Sequence, residues 1–367
     1  MILGVYIVLY LVLALFSLIE ITYSHKKEYR NISLFTSMLI ILFIILFVGL
    51  RYETGADYYS YVKHFNKTNS ISFSHILSQR IEPGFLLINY IIKNTLHNHI
   101  FLFLFIALAS IGVKYKFCLN YSYYIFIPIF YYFSYSFLPL EMGQIRHALS
   151  IGILLISVRY IIQNNFYKFA FWVLIATTIH YSSIVFILTY FFNKIKLNRK
   201  RIIVIFIIAI IIGMVNINNI TIEMLKILPD LTPIRRAISY LRRPNIVGRR
   251  GIALQDIWKT FLIIIFLTFY KKMFKQNEFY NGIFQVYFFG IIIWFSMNSI
   301  DLFARRFAHV YNFIEGILIS YFIFKLKHRR IKILILLILS FIMLIRFSNV
   351  LSSGRYVPYK NVLYNYF

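Results

Sequence analysis

The chain has one cysteine in 367 residues, Cys118, so an internal disulfide and a cysteine-built metal site are both excluded. Acids are scarce: 12 Asp and Glu stand against 39 Lys and Arg, for a net charge of +27. There is no Asp-x-Asp pair of the kind that holds a nucleotide-sugar diphosphate through a metal. Nor is there a phosphate-binding glycine loop, a His-Glu-x-x-His or a dinucleotide fingerprint. An enzyme with this inventory needs no metal or other cofactor of its own. No motif repeats along the chain. At the N-terminus no basic patch precedes the first apolar run and no small-residue cleavage site follows it, so Met1–Tyr23 reads as a retained span.

What is present is apolar and aromatic. Hydrophobic residues make up 60% of the chain and aromatics 20%, with a mean hydropathy of +0.73. This predicts an all-α, polytopic transmembrane protein rather than a soluble domain. The many tyrosines suit interfacial belts and stacking on sugar rings. So basic a chain raises the question of nucleic acid. The basic residues, however, sit in short loops between apolar runs, where orientation bias and anionic membrane lipid account for them, and nucleic acid is rejected as a partner.

Apolar runs fall near 1–23, 33–50, 99–113, 121–138, 147–162, 168–192, 201–217, 256–270, 280–298, 309–324 and 331–347, with a shorter one at 84–96. At ~20 residues per crossing they predict about 10–12 spans in a single integral membrane domain, 1–367. Four Lys-rich loops, at Lys26–Arg30, Lys194–Arg201, Lys271–Lys275 and Lys325–Lys332, read as cytoplasmic. An even number of crossings then separates each pair, and the stretches 51–82 and 218–255, the 299–308 loop and both termini face outward. Two versions of the middle satisfy this parity. In the second, 84–96 only dips into the bilayer and 168–192 breaks near His180, which returns Lys114 and Lys116 to the cytoplasm.

The outward loops are unusually rich in Arg. Arg235–Arg236, Arg242–Arg243 and Arg249–Arg250 form pairs at seven-residue spacing. Arginine grips phosphate or carboxylate at two points, so an anion on the outer side would explain the choice. Thr232 and Pro233 look like an N-cap and first helical residue. Ile234, Ile238 and Leu241 then share a face that excludes Arg235, Arg236, Arg242 and Arg243, predicting an amphipathic surface helix ended by Pro244 and Gly248. Arg235, Arg242 and Arg243 are candidate substrate or lipid contacts; plain adhesion to anionic lipid is the simpler alternative.

Four constellations interrupt the apolar pattern. Arg51, Glu53 and Asp57 fall within seven positions at the end of a span, in the segment RYETGADYY. Charge at such a lip is expensive without a partner or a task. Asp57 is either a base or the N-cap of the helix that Tyr58, Tyr61 and Phe65 predict. Glu141, Gln144, Arg146 and His147 follow Pro139, either as functional groups or as a structural Glu141–Arg146 ion pair. His180 lies deep in an apolar run, either a satisfied core histidine or a functional one. Asp301, Arg305, His309 and Asn312 recur at helical spacing with Arg306 adjacent, forming an anion clamp or a plain i,i+4 salt bridge. Glu82 belongs with these as one of the acids at the membrane edge.

Taken in order, RYETGADYYSY from Arg51, Glu82-Pro83-Gly84-Phe85, Gln144-Ile145-Arg146-His147-Ala148-Leu149, Ile179-His180-Tyr181-Ser182-Ser183 and Arg305-Arg306-Phe307 resemble the EpsG-like family. Its members are polymerases of bacterial exopolysaccharide and O-antigen, of the Wzy type. Ala56 stands where the family usually has Thr or Ser, and His147 where it commonly has Gln. The resemblance implies a multi-pass protein of the inner membrane with a GT-C-like helical fold and interfacial helices in its outer loops. It implies metal-independent transfer of a growing glycan from undecaprenyl pyrophosphate to a lipid-linked repeat unit at the periplasmic face. A chain-length regulator and a flippase are the partners it suggests. Carried over by position, Arg51, Arg146, Arg305 and Arg306 would hold pyrophosphate, with Asp301 nearby, and Asp57, Glu141 or His180 would be the base. A ligase that moves finished glycan to lipid A and a polysaccharide flippase or transporter are the alternatives.

Overall fold

In lipid, a backbone satisfies its N–H and C=O groups only within a helix or a closed barrel, and helices are what the apolar runs form. The computed structural model describes residues 4–24, 27–68, 81–216, 218–227, 232–242 and 253–365. In order they form α1 (Gly4–Tyr23), α2 (Lys27–Gly49), α3 (Tyr58–Lys67), α4 (Pro83–Leu96), α5 (His99–Tyr121) and α6 (Phe126–Tyr132), which runs on as a π-helix over Phe133–Gly143. Then come α7 (Ile145–Ile162), α8 (Phe166–Ile179), α9 (Tyr181–Phe192), α10 (Arg199–Met214), α11 (Asn218–Ile227) and α12 (Thr232–Leu241). The series ends with α13 (Leu254–Thr268), α14 (Glu278–Ser296), α15 (Asp301–Lys325) and α16 (Arg329–Leu351). No strand forms among the described residues; an isolated antiparallel bridge joins Arg51 to Asn361.

The chain is an all-α polytopic membrane protein. Among the described residues seven helices (α1, α2, α5, α7, α14, α15 and α16) are long and apolar enough to cross a bilayer. The other apolar runs are helical but shorter. The 168–192 run breaks at His180, as the second version of the topology expects, and α4 has only 14 residues. The 121–138 run loses its regular ladder before Pro139, which has no N–H to give. There the turn widens, and the Gln144 N–H closes it on the Pro139 carbonyl five residues back, at 2.8 Å.

The helices divide into two compact units. The first comprises Met1–Ser157, Leu174–His180 and Glu315–Phe367. At one of its ends Glu20 of α1 accepts the backbone N–H groups of Ile125 and Phe126 at 2.7 and 2.8 Å, capping α6 from a different helix. Deeper in the unit, Lys114 of α5 pairs with Glu141 at 2.8 Å, and both side chains are buried. Ser110 and Tyr132 also donate to that carboxylate, at 3.0 and 2.6 Å, while Lys114 donates to the Ala148 carbonyl of α7 at 2.8 Å. This network ties α5, the end of the π-helix and α7 together. It also settles the structural alternative for Glu141, whose cation is Lys114 and not Arg146.

The second unit comprises Val158–Val173 and Tyr181–Ile314. Its helices approach closely at glycine. Gly213 of α10 leaves room for the Phe295 carbonyl, and Gly290 of α14 lies against the Tyr311 ring, whose hydroxyl is fixed 2.7 Å from Thr189. The amphipathic helix expected after Thr232 is α12, with Leu241 buried and Arg235 and Arg242 exposed. Pro244 and Gly248, the expected stop signals, lie outside the described residues. Lys259 of α13 is buried, donating to Asn312 Oδ1 at 2.8 Å and lying 5.2 Å from the centre of the Trp294 ring.

Gly290→Ala drives a methyl group into a buried tyrosine ring and should destabilise the purified protein by about 1–3 kcal/mol. Gly112→Ala is the control, because its new Cβ would meet nothing within 4 Å. Thermal unfolding in detergent should show a lower midpoint for the first variant and no loss for the second.

Candidate functional site

The site belongs to the first unit, at the end opposite the Glu20 cap. The chain leaves α2 at Leu50 and turns inward at Arg51, which is 1% exposed. Its Nη1 donates to the Val48 carbonyl at 2.7 Å, and its guanidinium lies 4.4 Å from the centre of the Phe103 ring. Nε and Nη2 are buried with no hydrogen-bond partner. Burial pulls the group down to about 10, so it remains charged at neutral pH. Glu53 holds a left-handed φ of 48° and pairs with Lys360 at 2.8 Å, and this contact lowers its carboxyl below the ordinary value. Gly55 has a φ of 115°, and a Cβ there would run into the Met142 carbonyl oxygen. Only glycine lets the loop lie on the end of the π-helix. Asp57 is exposed and occupies the N-cap position of α3.

Glu82 is the centre of the site. It occupies the N-cap position of α4, just before Pro83, and is 3% exposed. Its carboxylate forms an ion pair with Arg146, in the first turn of α7. Its other oxygen lies 3.4 Å from His180 Nδ1. Burial pushes this carboxyl up, but His180 and Arg146 outweigh it and hold it at about 2. Close helix contact makes the arrangement possible. Gly84 sits so near Thr178 and Ile179 that a Cβ has no room, bringing the start of α4 to the end of α8 and Glu82 to His180.

Around this pair stand a second histidine and two aromatic rings. The His147 ring lies 4.6 Å from the His180 ring, and His147 Nδ1 is 3.3 Å from Gln144 Oε1. Arg146 lies 5.7 Å from the centre of the Tyr61 ring and 5.6 Å from that of Phe85. Tyr61 also feels the charge of Arg51, so the two arginines share it as a neighbour. Half-buried His64 of α3 senses Arg146 and Glu82; burial and the nearby cations lower its pKa. Beneath lies an apolar floor that includes Tyr58, Phe65, Phe103, Leu149 and Ile179.

Of the residues singled out from sequence, Arg51, Arg146 and His180 lie in this region. Glu141 lies in the first unit too, committed to Lys114. Asp57 is in the first unit as well, exposed at the start of α3, and the remaining candidates belong to the second unit. There Arg305 and Asp301 form the i,i+4 pair expected at the start of α15, 2.8 Å apart and partly exposed. Arg306 stacks 5.1 Å from the centre of the Tyr240 ring, and its Nε is buried with no hydrogen-bond partner. Arg235 and Arg242 are exposed at α12, and Arg243 lies outside the described residues. Glu82 was grouped from sequence with the acids at the membrane edge but given no role of its own, although an acid before proline at a helix start, inside the family-like Glu-Pro-Gly-Phe segment, is a visible signal. The place of Tyr61 beside Arg146 and the C-terminal partner of Glu53 were missed. Among the described residues, no three of His, Cys, Asp and Glu gather closely enough to hold a metal ion.

Residues 34–361 match the family model described as the EpsG family. No curated protein and no solved structure matches the chain.

Two outcomes follow from this geometry. Gly55→Ala combines a left-handed φ with a backbone clash and should be worse than Gly354→Ala, where φ is 69° and nothing lies within 4 Å. The positive φ alone costs about 1–3 kcal/mol, and the yield of folded protein compares the two. For Glu82, stability from its ionised form is fully present above the ordinary value of 4.5 and is lost only as pH falls through about 2. Arg146→Ala removes an attraction and leaves the burial, so Glu82 should then titrate at higher pH. Infrared carboxyl spectra, with Glu82→Gln as reference, read that change; an unmoved titration would show that Arg146 does not hold the carboxylate.

Proposed function

The chain belongs to the EpsG family, and from that premise we propose that it polymerises a bacterial O-antigen or exopolysaccharide. Family membership makes it a polysaccharide-polymerase-type membrane protein. The finer reading is that it transfers a growing glycan from undecaprenyl pyrophosphate onto a repeat unit carried by the same lipid, at the periplasmic face of the inner membrane. One observation carries this reading: a histidine, His180, standing 3.4 Å from an ionised, buried Glu82 that is itself paired with Arg146.

The chemistry asks for a base and a cation. His180, with Nδ1 turned to Glu82, takes the proton of the acceptor hydroxyl at Nε2. The freed oxygen attacks the anomeric carbon of the donor chain. The bond from that carbon to the pyrophosphate oxygen breaks, and undecaprenyl pyrophosphate leaves with the electron pair. Glu82 orients the imidazole and stabilises its charged form, in the manner of a carboxylate behind a catalytic histidine. Arg146 and Arg51 neutralise the leaving group in place of a metal. Tyr61 and Phe85 are buried against Arg146 and steady its guanidinium. Among the three base candidates, the partners of Glu141 support giving the role to His180, since its carboxylate is taken up by Lys114, Ser110 and Tyr132. Asp57 is exposed at the rim.

Purified protein given lipid-linked repeat units should produce a ladder of polymer. Arg146→Ala and His180→Ala should each cut the rate at least about tenfold to a hundredfold, the range of a charge-assisted contact of roughly 1.5–3 kcal/mol. Lys194→Ala, in a Lys-rich loop that serves orientation, should leave the rate unchanged. Transfer only to lipid A would indicate a ligase, and lipid movement without any new glycosidic bond a flippase. A full ladder from both site variants would remove these residues from the chemistry.

A further inference from the structure

After α16 the chain turns at Gly354, which has a φ of 69° and open surroundings. Tyr356 is the anchor: it is buried, and its carbonyl accepts the Tyr6 hydroxyl at 2.7 Å. Beyond it, the strap from Val357 to Asn361 runs antiparallel to the Arg51 loop. The Tyr52 N–H donates to the Lys360 carbonyl and the Val362 N–H to the Leu50 carbonyl, each at 2.9 Å. These bonds flank Arg51 on both sides and place it opposite Asn361. The Lys360 N–H donates to Thr54 Oγ1 at 3.0 Å, Lys360 Nζ meets Glu53 at 2.8 Å, and the Tyr359 ring stacks 4.1 Å from that of Phe47. Pro358 and Lys360 are exposed, so much of the strap is held by polar contacts at the surface.

What this strap closes over is unusual. Arg51 is 1% exposed, no carboxylate pairs with it among the described residues, and Nε and Nη2 have no hydrogen-bond partner. Tyr359, from the strap itself, lies within electrostatic reach of the guanidinium. A buried cation with two unmatched donors is unfavourable unless something else supplies the acceptor. Both donors are buried: Nε lies beside Gly55 and the guanidinium against Phe103, in the loop that the strap pins down.

We propose that residues Val357–Asn361 are a lid over an oxyanion site at Arg51, closed in this structure, which lifts to let an anionic oxygen of the lipid pyrophosphate reach Nε and Nη2. The identity of that ligand rests on the polymerase reading; the lid itself does not. Tyr356 stays in place as the chain beyond it swings. Closing the lid over a bound phosphate would exclude water from the leaving group and protect the donor from hydrolysis.

Two measurements test the lid. Tyr52 and Lys360 stand opposite each other, joined by the Tyr52 N–H bond to the Lys360 carbonyl, and opposite residues of an antiparallel pair lie about 4.5–5.5 Å apart at Cα, within the reach of a disulfide. In a Cys118→Ser background, Tyr52→Cys with Lys360→Cys should form polymer when reduced. It should lose at least about tenfold on oxidation and recover on reduction, as a lid that must open requires. Equal activity in the two states overturns the proposal. The second measurement needs no polymerisation. Arg51→Cys in the same background, in detergent, should react slowly with a small charged methanethiosulfonate. Adding Tyr359→Ala and Lys360→Glu should speed the reaction about tenfold by shifting the lid toward open. An unchanged rate overturns the lid. Faster labelling in a protein whose parent makes no polymer keeps the lid and rejects the polymerase reading.

Discussion

A carboxylate buried at the mouth of a membrane bundle stays ionised only when a cation stands against it. In this chain the Glu82–Arg146 pair meets that requirement, and the rest of the site is arranged around it. The pair needs the start of α4 beside the end of α8, which Gly84 permits. It needs the first turn of α7 at the same place, which the halt of the π-helix at Gly143 supplies. Once Glu82 is fixed and charged, His180 has a defined neighbour for one ring nitrogen, and the aromatic faces of Tyr61 and Phe85 enclose the guanidinium from other sides.

The two buried carboxylates of this region have different fates. Glu141 has Lys114, Ser110 and Tyr132 as partners and is 1% exposed. A charge so fully matched is a structural knot, and removing one partner would leave the other exposed to the full desolvation penalty. Glu82 is nearly as buried, but Arg146 beside it keeps a quarter of its side chain accessible. The first network holds α5, the π-helix and α7 in register, and the second can meet a ligand. The division of labour depends on which cation each acid takes.

That choice of partner is where the sequence became illegible. The apolar runs announced the helices, and the polar break at His180 and the Thr232-Pro233 start of α12 were readable because local spacing controls them. The Asp301–Arg305 pair was readable for the same reason, being one helical turn apart. Lys114 and Glu141, by contrast, meet across 27 positions, and Glu82 and Arg146 across 64. No periodicity encodes such meetings. Five positions separate Glu141 from Arg146, which made that pairing the natural guess, yet the widened turn at Pro139 and the restart at Ile145 carry the two side chains to different partners. The strap was illegible for the same reason, since nothing near Lys360 in the sequence points to Glu53. Span length was less legible: several apolar runs build helices of 14–16 residues that still carry exposed apolar faces, because hydropathy marks the apolar stretch and not where the helix stops.

The use of arginine at positions 51 and 146, where lysine would satisfy charge alone, follows from the same surroundings. Each guanidinium lies close to an aromatic ring, Phe103 for Arg51 and Tyr61 with Phe85 for Arg146. A planar, weakly hydrated cation loses less than an ammonium when it is taken from water and set on such a face. It also keeps donors in reserve. Arg51 uses one edge to hold the Val48 carbonyl and leaves Nε and Nη2 unsatisfied. A lysine placed there would swing its single charged end to the nearest carbonyl. The fork geometry lets the fold anchor one edge of an arginine while its other donors keep a fixed direction.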